Sequence, residues 1–81
     1  MQEIDTHNMK FQEAKEYILT QAEQCYKQKI LSLRVIHGYN NGTKIRDWIR
    51  NTERLNKIVN RVEPDLLNSG ATILHFKLRI Y

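Results

Sequence analysis

Cysteine is almost missing from this chain: Cys25 is the only one. An internal disulfide is therefore excluded, and so is a zinc site built from several thiolates. A lone cysteine in a helical pattern is a packing or surface residue unless a base lies beside it, and none is near in sequence. Proline is equally scarce, with Pro64 alone, and the three glycines fall at 38, 42 and 70. The sequence shows no linker, internal repeat or low-complexity tract. No apolar run approaches the ~18 residues that would suggest a membrane span. The polar, acidic start MQEIDTHN does not read as a signal peptide. The expected setting is the cytoplasm, with no membrane partner.

What is present is a small, basic, mixed composition. At 81 residues the chain has room for one domain, 1–81, with one sheet and two helices. A large enclosed active site does not fit, so any chemistry has to sit at the surface, completed by substrate or a second subunit. Thirteen Lys and Arg residues face nine Asp and Glu, a formal charge of +4. That excess favours a polyanionic partner such as nucleic acid, DNA or RNA.

The apolar pattern alternates between period two and period 3.6. Residues 2–7, QEIDTH, predict a short strand with Ile4 and Thr6 on one side and Glu3, Asp5 and His7 on the other. Residues 11–28 predict a helix with Phe11, Ala14, Ile18, Ala22 and Cys25 in one stripe, and Asn8 as a cap before it. LSLRVIH at 31–37 predicts the clearest strand, and GYNNG a loop. A second helix runs from Thr43, its expected N-cap, to about Thr52, with Ile45, Trp48 and Ile49 inward. Residues 56–63 predict a short strand, and 71–81 a long one with Thr72, Leu74, Phe76, Leu78 and Ile80 on one side. The fold class is an α/β two-layer sandwich, β-α-β-α-β-β, with a mixed four-stranded sheet. Right-handed crossovers put both helices on one face of that sheet.

The other face is then open, and side-chain parity assigns it Asp5, His7, Arg34, His75, Lys77 and Arg79, a basic surface suited to phosphates. Two constellations stand out. Asp5 and His7 are two apart, so a carboxylate can orient an imidazole for proton transfer or help hold a divalent cation. One carboxylate is thin support for a dedicated metal site; magnesium or manganese are the ions considered, and the need for either stays open. The second is VIHGYNNGTKIR at 35–46. His37 ends a strand, Gly38 and Gly42 free the backbone, and a helix N-terminus follows that favours an anion. Asn40 and Asn41 add donors, Tyr39 can stack on a base, and Thr43 and Arg46 follow on the helix. The same stretch is equally readable as a turn rich in turn formers. It is no phosphate-binding P-loop, because the Gly-Lys-Ser/Thr order is absent, and the histidines at 7, 37 and 75 lack zinc spacing.

These stretches, in their order, resemble the small MutS-related (Smr) domain family. That family opens on a strand motif close to LDLHG followed by a helix with a Glu-Ala pair; here stand IDTHN at 4–8 and EA at 13–14. Its next mark is a hydrophobic strand running into HGxG and a helix with Leu-Arg or Leu-Lys; here LRVIHGYNNG at 33–42 precedes IRDWIR at 45–50. Its last is a glycine before a hydrophobic final strand, here SGATILHF at 69–76. Thr6 stands where the motif has Leu, Asn8 where it has Gly, and Asn40 in the place of the second loop glycine. The resemblance implies a fold similar to the C-terminal domain of translation initiation factor three. It implies DNA nicking or RNA cleavage, including of messages on collided ribosomes. Asp5 and His7 match the residues linked with cleavage, and His37 and Gly38 match the loop that contributes to binding or activity.

Three functions are then expected to compete. In an endonuclease, His7 oriented by Asp5 would be general base or acid and His37 would assist. Arg34, Lys77, Arg79 and the 38–43 loop would hold phosphates. A non-catalytic module would bind DNA, RNA or the ribosome through the same face, and a structural domain would use none of these residues. A monomer or weak homo-oligomer is expected in each case, the last strand lying either centrally or at an exposed edge.

Overall fold

Helix α1, Phe11–Lys27, turns Ala14, Ile18, Ala22 and Cys25 inward at the spacing of one helical face, and all four are buried. Its N-cap position is held by Lys10 rather than Asn8, and Glu13 reaches back to accept the Lys10 amide at 3.4 Å. Its C-terminus closes without glycine. Lys29 takes the left-handed conformation (φ 63°), the Lys29 amide donates to the Tyr26 carbonyl and the Ile30 amide to the Cys25 carbonyl. That pair of bonds is the Schellman arrangement, which satisfies the last carbonyls and turns the chain toward the next strand.

The computed structural model describes residues 1–39 and 42–77, and Gly42 and Thr43 by backbone alone. The further elements are strands β1 (Gln2–Asp5), β2 (Ser32–Ile36), β3 (Val59–Pro64) and β4 (Ala71–Phe76), and helices α2 (Gly42–Asn51) and α3 (Glu53–Asn56). The mixed four-stranded sheet has the order β1-β2-β4-β3. β1 runs parallel to β2 with Ile4 beside Val35 and Asp5 beside Ile36, while β4 is antiparallel to both β2 and β3. The last strand is thus central, and β1 and β3 form the edges.

The expected order holds, with one helix added. Residues 53–56 form α3 and bury Leu55, so β3 starts at Val59 rather than 56. A four-residue helix is too short to show a helical period, which is why the sequence pattern passes over it. A register shift between Val59 and Arg61 then bends β3. Helix α2 begins at Gly42, so Thr43 lies in its first turn rather than at the cap. Strand β4 ends at Phe76, although the Lys77 amide still donates to the Ile58 carbonyl at 2.8 Å. The expected continuation through Leu78, Arg79, Ile80 and Tyr81 lies outside the described residues.

One face of the sheet, carrying Ile4, Leu33, Val35, Leu74, Phe76 and Val59, packs on Ile18, Ile45, Ile49 and Leu55 of the helices in a single core. Cutting a fully buried member such as Ile18 or Leu74 to alanine costs ~2–5 kcal/mol, a large share of the ~5 kcal/mol a domain of this size holds. Among the described residues no helix is long and apolar enough to cross a membrane.

Candidate functional site

The parallel pairing of β1 and β2 decides where the candidate residues sit. Both strands end on the same rim, so the turn after Asp5 and the loop after Ile36 emerge side by side. They line one cleft of about 490 Å³ with Asp5, His7, Asn8, His37, Gly38 and Tyr39, and the β3–β4 turn adds Asn68 and Gly70. The three expected catalytic residues therefore share one surface.

His7 meets Asp5 by a local turn rather than by strand parity, since β1 ends at Asp5. Asp5 Oδ1 accepts both the His7 backbone amide, at 3.0 Å, and the His7 ring through Nδ1. This is an aspartate closing on the backbone two residues ahead, with the imidazole drawn in as well. The ring bond and then the amide bond hold the Asp5 carboxyl below its ordinary value. With Nδ1–H donated to Asp5, the neutral ring keeps its lone pair on Nε2. Both side chains are about half exposed, at 47% for His7 and 51% for Asp5, so solvent reaches the pair. Between them Thr6 faces the core, buried, in the place the family motif gives to leucine. Its hydroxyl donates to the Ile36 carbonyl at 3.1 Å, which offsets the burial of a polar atom.

His37 behaves differently. It continues the inward parity of Leu33 and Val35 and is 5% exposed. Its Nδ1–H donates to the Gly38 carbonyl at 3.0 Å, and Nε2 accepts from the buried Thr72 hydroxyl at 2.8 Å. Burial pushes the imidazole below its usual pKa, the Gly38 carbonyl pulls it back in part, and Arg46 on α2 lowers it further. Both nitrogens are engaged, so the ring has no lone pair to offer to a substrate.

Gly38 is where glycine is needed. Its φ is +79°, and a Cβ there would stand 3.1 Å from the His7 Cβ. Any side chain at 38 would push directly on His7. The Gly70 carbonyl accepts the His37 and Gly38 amides, both at 2.9 Å, and locks the loop to the β3–β4 turn. Asn68 Oδ1 accepts the Gly70 amide at 2.9 Å and the Tyr39 hydroxyl at 3.3 Å. Because a backbone amide can only donate, the oxygen of Asn68 faces Gly70. The Tyr39 side chain is 73% exposed at the rim. Asn68 and Thr72 were not among the expected site residues; turn and strand composition mark neither, and only register brings them to the loop.

The Smr domain family model matches residues 4–77. The chain belongs to the Smr domain family. Its structure is similar to the crystal structure of the Smr domain of Thermus thermophilus MutS2, with a TM-score of 0.83 and 22% sequence identity. The match covers 96% of this chain and 100% of that one, and at this identity it speaks for the fold. No curated protein matches.

The open face of this Smr domain corrects the expected basic surface. Arg34 donates through Nε to Asp65 at 2.6 Å and through NH1 to Glu3 at 2.8 Å. His75 donates through Nε2 to Glu63 at 2.6 Å, with Arg61 beside them. The expected face counted one carboxylate, Asp5. Strand β3 and its turn bring Glu63 and Asp65 over the same side, and Glu3 points there as well. The Arg34 bond and the Leu67 amide hold the Asp65 carboxyl below its usual value, and Asp65 and Glu3 keep the Arg34 guanidinium charged. Among the described residues, Lys44, Arg46, Arg50, Lys57 and Lys77 form no ion pair with a carboxylate, so unneutralised charge lies on α2, after α3 and past β4. Arg46 acts electrostatically on His37, which lines the cleft. Asn40, Asn41 and Arg79 lie outside the described residues, as do the side chains of Gly42 and Thr43. No group of three or more His, Cys, Asp or Glu among the described residues could hold a metal ion.

Proposed function

We propose that this Smr domain is an endonuclease that breaks phosphodiester bonds in DNA or RNA, with Asp5 and His7 as its acid–base pair. The observation that carries the reading is the imidazole held by its Nδ1 at the mouth of a cleft, with Nε2 uncommitted. In the proposed step, Nε2 takes the proton of the attacking oxygen, water or a neighbouring 2′-hydroxyl, as that oxygen bonds to phosphorus. The leaving oxygen departs with a proton returned from the imidazolium or from water. Ionised Asp5 stabilises the imidazolium. Arg46 supplies positive charge near the transferring group. His37 is a positioning residue: it holds Gly38 and Thr72 together beneath His7. A magnesium or manganese ion, if used, would draw most of its ligands from the substrate phosphates and water.

The test is incubation of the protein with end-labelled RNA and DNA, in magnesium, in manganese and in chelator, beside the His7→Ala form. Cleavage by the wild type, lower by ~10²–10⁴-fold in the variant, is the expected result. Equal cleavage by both proteins sinks the assignment of His7.

The cations of α2, with Lys57 and Lys77, lack carboxylate partners among the described residues and favour a second reading, a non-catalytic module that binds structured RNA, branched DNA or the ribosome. Salt-dependent binding with no cleavage under any of the three conditions would select it.

A further inference from the structure

The tip of the β3–β4 turn is explained neither by the fold nor by the acid–base pair. Leu66 and Leu67 sit there 94% and 97% exposed. Tips of turns favour Gly, Asn, Asp and Ser, and in this turn the other residues do the building. Asp65 Oδ1 accepts the Leu67 amide at 2.9 Å, and the Asp65 carbonyl accepts the Asn68 amide at 3.3 Å. The Asn68 carbonyl accepts the Ala71 amide at 3.1 Å, and its side chain accepts Gly70. Arg34 clamps Asp65 from the sheet at 2.6 Å. Nothing in this bonding requires leucine at either position. The result is a braced turn that holds two large apolar side chains out in water.

The same turn forms part of the cleft. Asn68, one residue beyond Leu67, lines it and receives the Tyr39 hydroxyl. An exposed aromatic ring thus lines the cleft with His7, and the exposed leucine pair directly precedes Asn68 of its wall. We propose that Leu66 and Leu67 are a wedge that enters a base step of the bound nucleic acid, with Tyr39 stacking on the base so exposed. Apolar side chains on a rigid support act in this way when they part stacked bases and kink a duplex. An aromatic face accepts any base. The inference rests on the nucleic-acid reading above and adds a substrate class to it. Opening a step costs least where stacking is already weakened. The favoured substrate is thus a duplex with a bulge or mismatch rather than a perfect helix.

The test uses the full chain and the double variant Leu66→Ser, Leu67→Ser. These side chains bury almost nothing, so the variant keeps the wild-type melting temperature. The probes are a perfect duplex and the same duplex with a single-base bulge, each carrying 2-aminopurine beside the step. The wild type is expected to raise the 2-aminopurine fluorescence and to bind the bulged duplex about tenfold more tightly. The double variant loses both the signal and the preference while keeping salt-dependent binding. The His7→Ala form keeps both, because the wedge is separate from proton transfer. Unchanged fluorescence and preference in the double variant overturn the wedge alone, and would leave the leucines to a protein or lipid surface. Failure of the wild type to bind any of these nucleic acids overturns the wedge and the nucleic-acid reading together.

Discussion

Two imidazole–carboxylate pairs lie on this small sheet, and they differ in what they leave over. Asp5 takes His7 by Nδ1 within one turn, with the His7 amide on the same oxygen. Glu63 takes His75 by Nε2 across two strands, at 2.6 Å, with the Arg61 guanidinium 3.4 Å from that nitrogen and 3.8 Å from the carboxylate. The first pair stands at a concave rim with the outer ring nitrogen uncommitted. The second lies on the open face of the sheet with that nitrogen spent and a cation alongside. A histidine beside an acid is thus not by itself an acid–base catalyst. The nitrogen that remains, and the space it faces, decide the matter.

The sharpest way to break this comparison is to remove each imidazole in turn. His7→Ala is expected to lower nucleic-acid cleavage by at least ~100-fold, and His75→Ala by no more than about twofold. Initial rates on one labelled substrate, with binding measured separately, check both. Equal losses would mean that the open face takes part in the chemistry after all.

A smaller effect comes from the two glycines that meet beneath His7. Gly38→Ala places a methyl group 3.1 Å from the His7 Cβ at a φ of +79°. It is expected to cost ~1–2 kcal/mol of stability and to lower cleavage by about tenfold, as His7 is displaced from Asp5. Gly70→Ala meets the Asn68 side-chain oxygen at 3.3 Å and the Gly38 Cα at 3.4 Å, with no left-handed φ to strain. Its cost is expected to be the lesser, about 1 kcal/mol. Denaturant melts of the two variants rank them, and a larger loss at Gly70 would contradict the geometry.

The difference between the pairs also marks what the sequence could carry. Strand and helix positions were legible because burial follows period: Ile4, Leu33, Val35 and Leu74 alternate, and Ala14, Ile18, Ala22 and Cys25 share a helical face. Asp5 and His7 were legible because their contact is local, spanning two residues. The neutralisation of Arg34 and His75 was not, because their partners Glu63 and Asp65 arrive through β3–β4 register, which no local pattern encodes. The engagement of His37 was hidden for the same reason. Its partner Thr72 sits across from Val35, thirty-five residues later in the chain. Parity did hold the clue, since His37 shares the face of Leu33 and Val35. The glycines that follow, Gly38 and Gly42, mark the stretch as a loop instead.

The smallest expected effect is the titration of His37. Burial, with Arg46 acting on the ring, opposes a second proton; the Gly38 carbonyl only partly offsets this, and the Thr72 hydroxyl can donate to the neutral form. Its folded pKa therefore lies below the ordinary 6.5. The unfolded chain then binds the proton first as pH falls, so His37 contributes stability that is full above 6.5 and is lost on acidification through its folded value. Asp5 and Asp65 act in a lower window. Their depressed carboxyls contribute above the ordinary 3.8, and that contribution is lost as pH falls through their folded values. NMR titration of the His37 imidazole should show it moving below pH 6.5, and unfolding free energy should begin to fall near that pH. In His37→Gln the first of the two windows should vanish and the acid one remain. A His37 ring that titrated at or above 6.5 would mean that its charged form is no worse off in the fold than in the open chain, which contradicts the burial and the Thr72 bond that favour the neutral ring.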